Sequence, residues 1–141
     1  MKRLYGNTIG LKANQVRRIE NLYRRRISPE FLITPELARD LSRLSHDVRR
    51  QLGLLINRRG RIVKVIVGDH QGILIPSLSE YRTAVGRLRG IRCIHTHLKA
   101  EPLSLDDLTD LAFLRLDLIA ALTIQPDGRP GPVHVGPILP G

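Results

Sequence analysis

The sequence predicts an α/β (α+β) fold, a mixed β-sheet flanked by helices, and three observations carry that expectation. Two segments with apolar residues at helical spacing come first, short runs rich in branched aliphatic residues follow, and one capped helix signal interrupts those runs. With 141 residues, 42% of them hydrophobic, the chain suffices for about one domain with a buried core, which excludes wholesale disorder. No internal repeat or low-complexity tract divides it.

Residues 12–27 place Val16, Ile19, Leu22, Tyr23 and Ile27 at steps of three and four, with Arg17, Arg18, Arg24 and Arg25 pointing largely elsewhere. The spacing predicts one basic amphipathic helix, ended at Ser28-Pro29 because the residue before proline is pushed out of the helical region. A second helix starts at Thr34, a good N-cap, with Pro35 at the first helical position and Glu36 in the first turn. Leu37, Leu41, Leu44 and Val48 form its buried face.

Near Gln51 the period changes. Residues 52–57, the turn Arg58-Arg59-Gly60 and residues 61–69 read as a hairpin of two strands, and residues 72–75 as a third strand ended by Pro76. After a polar connection over 77–90, residues 91–95 resume as a buried strand. Ser104 and Asp107 form a capping box that opens a third helix through Leu108, Leu111 and Ala112. Residues 118–125 are a further strand, Pro126-Asp127-Gly128 turns the chain, and residues 133–135 pair back as the last strand.

Lys and Arg number 23 against 13 Asp and Glu, a formal net charge of +10. The surplus is local: residues 1–64 hold 16 basic and 5 acidic side chains, residues 65–100 hold 5 and 2, and residues 101–141 hold 2 and 6. A basic surface of this size favours a polyanion, and the scarcity of aromatic anchors ranks nucleic acid ahead of an acidic membrane. Charges interrupt every apolar stretch, so no membrane span is expected. One cysteine, Cys93, cannot form an internal disulfide, and the first ten residues lack the apolar run of a secretory signal. A cytoplasmic location is expected, and Cys93 reads as a buried, inert thiol.

The residues with the most chemistry are His95-Thr96-His97, where a buried strand leaves the sheet. Alternation puts both imidazoles on one side. With a carboxylate from the first turn of the next helix, Asp107, they make three nitrogen and oxygen ligands and leave a fourth position on zinc for water. The structural alternative is a hydrogen-bonded strand histidine, a loop histidine and a capping aspartate.

The run His95-Thr96-His97, then Ser104 and Asp107, resembles the H-x-H-x7-S-x-x-D signature of the JAMM (MPN or JAB) metalloproteases and the RadC-like proteins. That resemblance implies a JAMM/cytidine-deaminase-like core, with zinc held by His95, His97 and Asp107 and an oxyanion helped by Ser104. The family's general base is a Glu on an early strand. Here six residues, rather than seven, separate His97 from Ser104, and Arg49-Arg50-Gln51 stand where the Glu is expected. Glu80 and Glu101 are the nearby substitutes by sequence. A guanidinium or a neutral amide cannot take a proton from metal-bound water, so the expectation is a JAMM-like shell without hydrolase activity.

A second resemblance covers almost the whole chain. Residues 6–26, 33–69 and 86–124 together look like the extra N-terminal region of long-form HflX-type GTP-binding proteins, cytoplasmic GTPases that associate with the large ribosomal subunit. It implies one accessory domain over 1–141, with a basic helical part at 1–50 and a JAMM-like sheet and helix at 51–141. GTP and magnesium are then expected in a GTPase half beyond Gly141. Within the chain, Gly6 to Lys12 reads G-N-T-I-G-L-K and fails the phosphate-cradling spacing G-x-x-x-x-G-K-[ST]. The expected partners are ribosomal RNA, met through Arg17, Arg18, Arg24, Arg25 and Arg26, and the chain's own GTPase half. The alternatives are a zinc hydrolase of peptide or isopeptide bonds and a protein-interaction domain that regulates the GTPase half.

Overall fold

A computed structural model of the chain describes residues 3–28, 32–68, 91–98 and 118–137. The elements among them are β1 (Leu4–Gly6), α1 (Ala13–Glu20) running into a 3-10 turn (Asn21–Arg24), α2 (Pro35–Val48), β2 (Leu52–Ile56), β3 (Ile62–Val67), β4 (Arg92–His97), β5 (Leu118–Ile124) and β6 (Pro130–Pro137). The expected class holds: the strands form one mixed sheet in the order β1-β3-β2-β4-β5-β6. β1 with β3 and β4 with β5 run parallel, and the other neighbours are antiparallel. The strand expected at 72–75 and the helix expected from Ser104 lie outside the described residues.

Alternation along the strands divides the sheet into two buried faces. On one, Leu52, Leu54, Val65, Val67, Ile94, Ala120 and Leu122 join Leu37, Leu41, Leu44 and Val48 of α2, with Ile19 and Leu22, in a single cluster. Alternate residues Leu55, Ile66, Cys93, His95, Ile119 and Ala121 are buried on the other. Ile62 joins the α2 cluster although it lies three residues from Val65, because β3 carries one extra residue where Leu55 pairs with Lys64 and Ile56 with Ile62. The bulge lets both side chains face the core.

α2 begins as its sequence requires. Thr34 Oγ1 accepts from Leu37 N at 3.2 Å, and Pro35 occupies the first turn. It ends on Arg49 in the left-handed conformation, φ 55°. Buried hydroxyls then tie the turn to the sheet. Ser45 Oγ donates to Arg50 O at 2.5 Å and lies 2.7 Å from Thr96 Oγ1, which accepts from Leu52 N at 2.9 Å. Since Ser45 spends its single proton on Arg50, Thr96 must donate to Ser45, and the relay runs in one direction from Leu52 N–H to Arg50 O.

The helix expected over 12–27 is shorter. α1 stops at Glu20, and the chain tightens into the 3-10 turn before extending at Arg25. Tertiary contacts override the helical period. The Tyr23 hydroxyl donates to Arg3 O and accepts from Val65 N at 2.9 Å, fixing the turn on β3. Arg26 then pairs with Arg61 in an isolated antiparallel bridge, and Ile27 N donates to Gly60 O at 2.9 Å. Gly60, at φ +79°, is required there: a Cβ would sit 1.8 Å from Ile27 O.

Two strands differ from expectation in extent. β1 carries no readable alternation in three residues, yet pairs with β3 and makes the leading segment part of the sheet. β6 reaches from Pro130 to Pro137 rather than over three residues; proline is tolerated because the strand lies at the sheet edge among the described residues. In the turn before it, the Arg129 backbone N–H and then its guanidinium hold the Asp127 carboxyl below its ordinary range. The stability this adds is present at neutral pH and is lost as pH falls through the lowered value.

Thr96→Val keeps the side-chain shape while removing both hydroxyl contacts. Urea denaturation is expected to show a loss of about 1–3 kcal/mol, with an unchanged slope against denaturant. A loss indistinguishable from that of an exposed substitution would mean that the relay does not hold α2 on the sheet.

Candidate functional site

β4 delivers the two histidines as the alternation requires. His95 and His97 are both buried, their ring centroids are 4.7 Å apart and their Nε2 atoms lie 2.9 Å apart. The cross-strand neighbours explain the room they occupy. His95 stands between Gly53 on β2 and Ala121 on β5, two of the smallest residues available, while His97 pairs with Thr123. The pair is therefore buried at the carboxyl end of β4, on the face away from α2. A cleft of about 310 Å³ opens at the same end, lined in part by Leu98, Thr123 and Gly131.

Ser104 and Asp107, the other expected members of this site, lie outside the described residues, as do Glu80 and Glu101. Among the described residues no group of three or more His, Cys, Asp or Glu is placed to hold a metal ion. Cys93 is buried one alternation before His95, as expected.

The positions where a general base was sought have other tasks. Arg49 closes α2. Arg50 turns toward the N-terminal loop, where its guanidinium donates to Asn7 O at 2.5 Å and to Ile9 O. Gln51 precedes β2 and is half-buried, its carbonyl oxygen accepting from Gly68 N at 2.8 Å. The same contacts characterise the loop from Gly6 to Lys12: it turns carbonyl oxygens toward a cation, the opposite polarity to the amide cradle a phosphate needs.

The five arginines expected at phosphate separate into two groups. Arg25 is ion-paired to Asp40 at 2.7 Å and Arg18 to Asp47 at 3.8 Å, so both join the leading segment to α2 across a shallow cleft. Arg17, Arg24 and Arg26 are exposed and form no ion pair among the described residues. Their placement departs from one helical stripe: Arg17 is on α1, Arg24 ends the 3-10 turn and Arg26 is in the bridge.

The hairpin adds further exposed arginines that lie outside the expected set. Arg59 and Arg61 are exposed on the turn that closes against residues 26–27. The signal was present in the run Arg58-Arg59-Gly60-Arg61, but its proximity to Arg26 depends on a bridge between residues 35 positions apart. Comparison of the chain with family models, curated proteins and solved structures finds no match in any of the three.

If Arg25 serves the fold, its partner must matter to it. A double-mutant cycle with Arg25→Ala and Asp40→Ala is expected to give a coupling of about 0.3–1 kcal/mol, the range for half-exposed pairs. Arg24→Gln is expected to leave stability unchanged within about 0.5 kcal/mol.

Proposed function

We propose that this chain is the N-terminal accessory domain of an HflX-like GTP-binding protein, non-catalytic itself, that meets the large ribosomal subunit through its basic leading segment. The observation that carries the reading is the set of exposed arginines without an acidic partner among the described residues, Arg17, Arg24 and Arg26, on a chain of net charge +10. Such side chains offer an RNA backbone a neutralisation that no acid among the described residues takes up. GTP and magnesium belong, on this reading, to the other half of the protein.

Co-sedimentation with purified large subunits tests it. Three phosphate contacts predict a loss of roughly 20- to 40-fold in affinity between 50 and 200 mM salt, and R17Q/R24Q/R26Q should bind more weakly than the parent at 50 mM and lose most of that salt dependence. Association that ignores salt, or a triple variant that binds like the parent, would sink the reading.

A second reading, a JAMM-type zinc metallohydrolase, is favoured by the converging Nε2 atoms of His95 and His97. Two zinc–nitrogen bonds of ~2.05 Å at a tetrahedral angle hold their nitrogens about 3.3 Å apart, so a small rotation of either ring brings the pair to ligand spacing. Asp107 would complete the donor set and Ser104 would face the oxyanion. Bound zinc supplies Lewis acidity to a carbonyl or a water. Arg49, Arg50 and Gln51, standing where the resemblance expects a Glu, cannot serve as the base, which is why the non-catalytic reading stands first. Zinc at a hundredfold excess over its Kd should raise stability by about 2.7 kcal/mol in the parent and not in His97→Ala, with hydrolysis of a peptide or isopeptide substrate following the metal. No thermal shift with zinc removes this reading.

A further inference from the structure

The antiparallel bridge between Arg26 and Arg61 sets two like charges opposite one another. The bond from Ile27 N to Gly60 O flanks this pair, which makes it the non-hydrogen-bonded kind, whose Cα atoms lie about 4.5 Å apart with side chains on the same face. Both side chains are exposed, and neither has a hydrogen bond or ion pair among the described residues. Like charges directly opposite in a sheet are destabilising. The backbone nevertheless holds the pairing: Ile27 N donates to Gly60 O at 2.9 Å, and the two chains run so close that a Cβ on Gly60 would sit 1.8 Å from Ile27 O.

The neighbouring charges extend the pair into a row. Arg25 is turned away to Asp40, so the alternate residues Arg24 and Arg26 are left exposed on either side of it. Across the bridge Arg59 is exposed two residues before Arg61, its backbone N–H held by Asn57 Oδ1 at 3.0 Å. A single phosphate would satisfy the central pair only; charges laid out along two adjoining segments fit successive phosphates of a strand.

We propose that Arg26 and Arg61, with Arg24 and Arg59 beside them, form a binding row for the phosphodiester backbone of RNA, and that bound phosphate relieves the repulsion built into the bridge. This deepens the ribosome-directed reading and rests on its premise that the partner is RNA. It places the contact at the hairpin turn rather than along α1.

The test uses the whole chain and a labelled single-stranded RNA 20-mer, with anisotropy titrations across salt and thermal unfolding of each variant. R26Q/R61Q is expected to reduce the slope of log K against log salt by about 1.4, the counterion release of two single-strand contacts. R26E converts the pair to opposite charges: it should bind RNA more weakly than the parent while unfolding at a higher temperature, a combination that misfolding cannot produce. An unchanged slope in R26Q/R61Q overturns the proposal, and so does equal Arg26- and Arg61-dependent binding to phosphatidylglycerol vesicles. RNA binding that needs this pair, without any association with large subunits, upholds the row and removes the ribosome instead. Subunit association that survives in R26Q/R61Q but not in R17Q removes the row and keeps the ribosome.

Discussion

The relay from Leu52 N–H through Thr96 and Ser45 to Arg50 O is the constraint on which the rest of the structure depends. It joins the last turn of α2, the start of β2 and the end of β4 at one buried point. A partly satisfied network in that position would cost more than an apolar contact, so the relay is either complete or absent. Being complete, it fixes how β2 leaves α2, and with it the register in which Gly53 faces His95. Slipping β2 by one residue would turn its leucines over and put a leucine where the imidazole now fits. The space around the histidines is therefore set by hydroxyls on the other side of the sheet.

That dependence explains what could be read from the sequence. α2 was legible end to end, since Thr34, Pro35 and the spacing of Leu37, Leu41, Leu44 and Val48 are local signals that the fold obeys. β2, β3, β4 and β5 were legible from branched residues and turns, and the parity of His95 and His97 followed from alternation. What failed were the elements decided by distant partners. Residues 21–27 have a helical pattern, but the Tyr23 hydroxyl and the Arg26–Arg61 bridge take them out of the helix. β1 has no pattern in three residues and exists because β3 offers it an edge. The arginines of the expected helix divide for the same reason: Arg18 and Arg25 have carboxylate partners on α2 that spacing within one segment cannot reveal.

The charges separate along physical lines rather than along the sequence. Arg25 and Arg18 hold the leading segment to α2, Arg50 holds the N-terminal loop through Asn7 and Ile9, and Arg49 occupies the left-handed closing position of α2. Arg50 shows the trade most clearly. A guanidinium there reaches two backbone carbonyls at once, which a carboxylate cannot do, since it has no proton to donate. Arg50 thus anchors the loop that follows the first strand, and an acid in its place would release residues 7–9.

Local preference and global fold agree over most of this chain, and where a natural sequence breaks its own local rules the departure points to function. Two departures stand out among the described residues. One buries two imidazoles within 2.9 Å of each other beside glycine and alanine, where larger apolar residues would pack the sheet with no polar demand. The other holds two arginines face to face across a bridge whose glycine tolerates no substitute. They differ in how much the fold needs them. The imidazoles meet each other through their Nε2 atoms, so each ring has a polar neighbour inside the fold. The guanidinium pair has no acidic partner among the described residues: its repulsion is offset by backbone bonds in the hairpin, and an anion laid against it would relieve that repulsion. Of the two departures, the arginine pair is the one that keeps an uncompensated like-charge contact among the described residues.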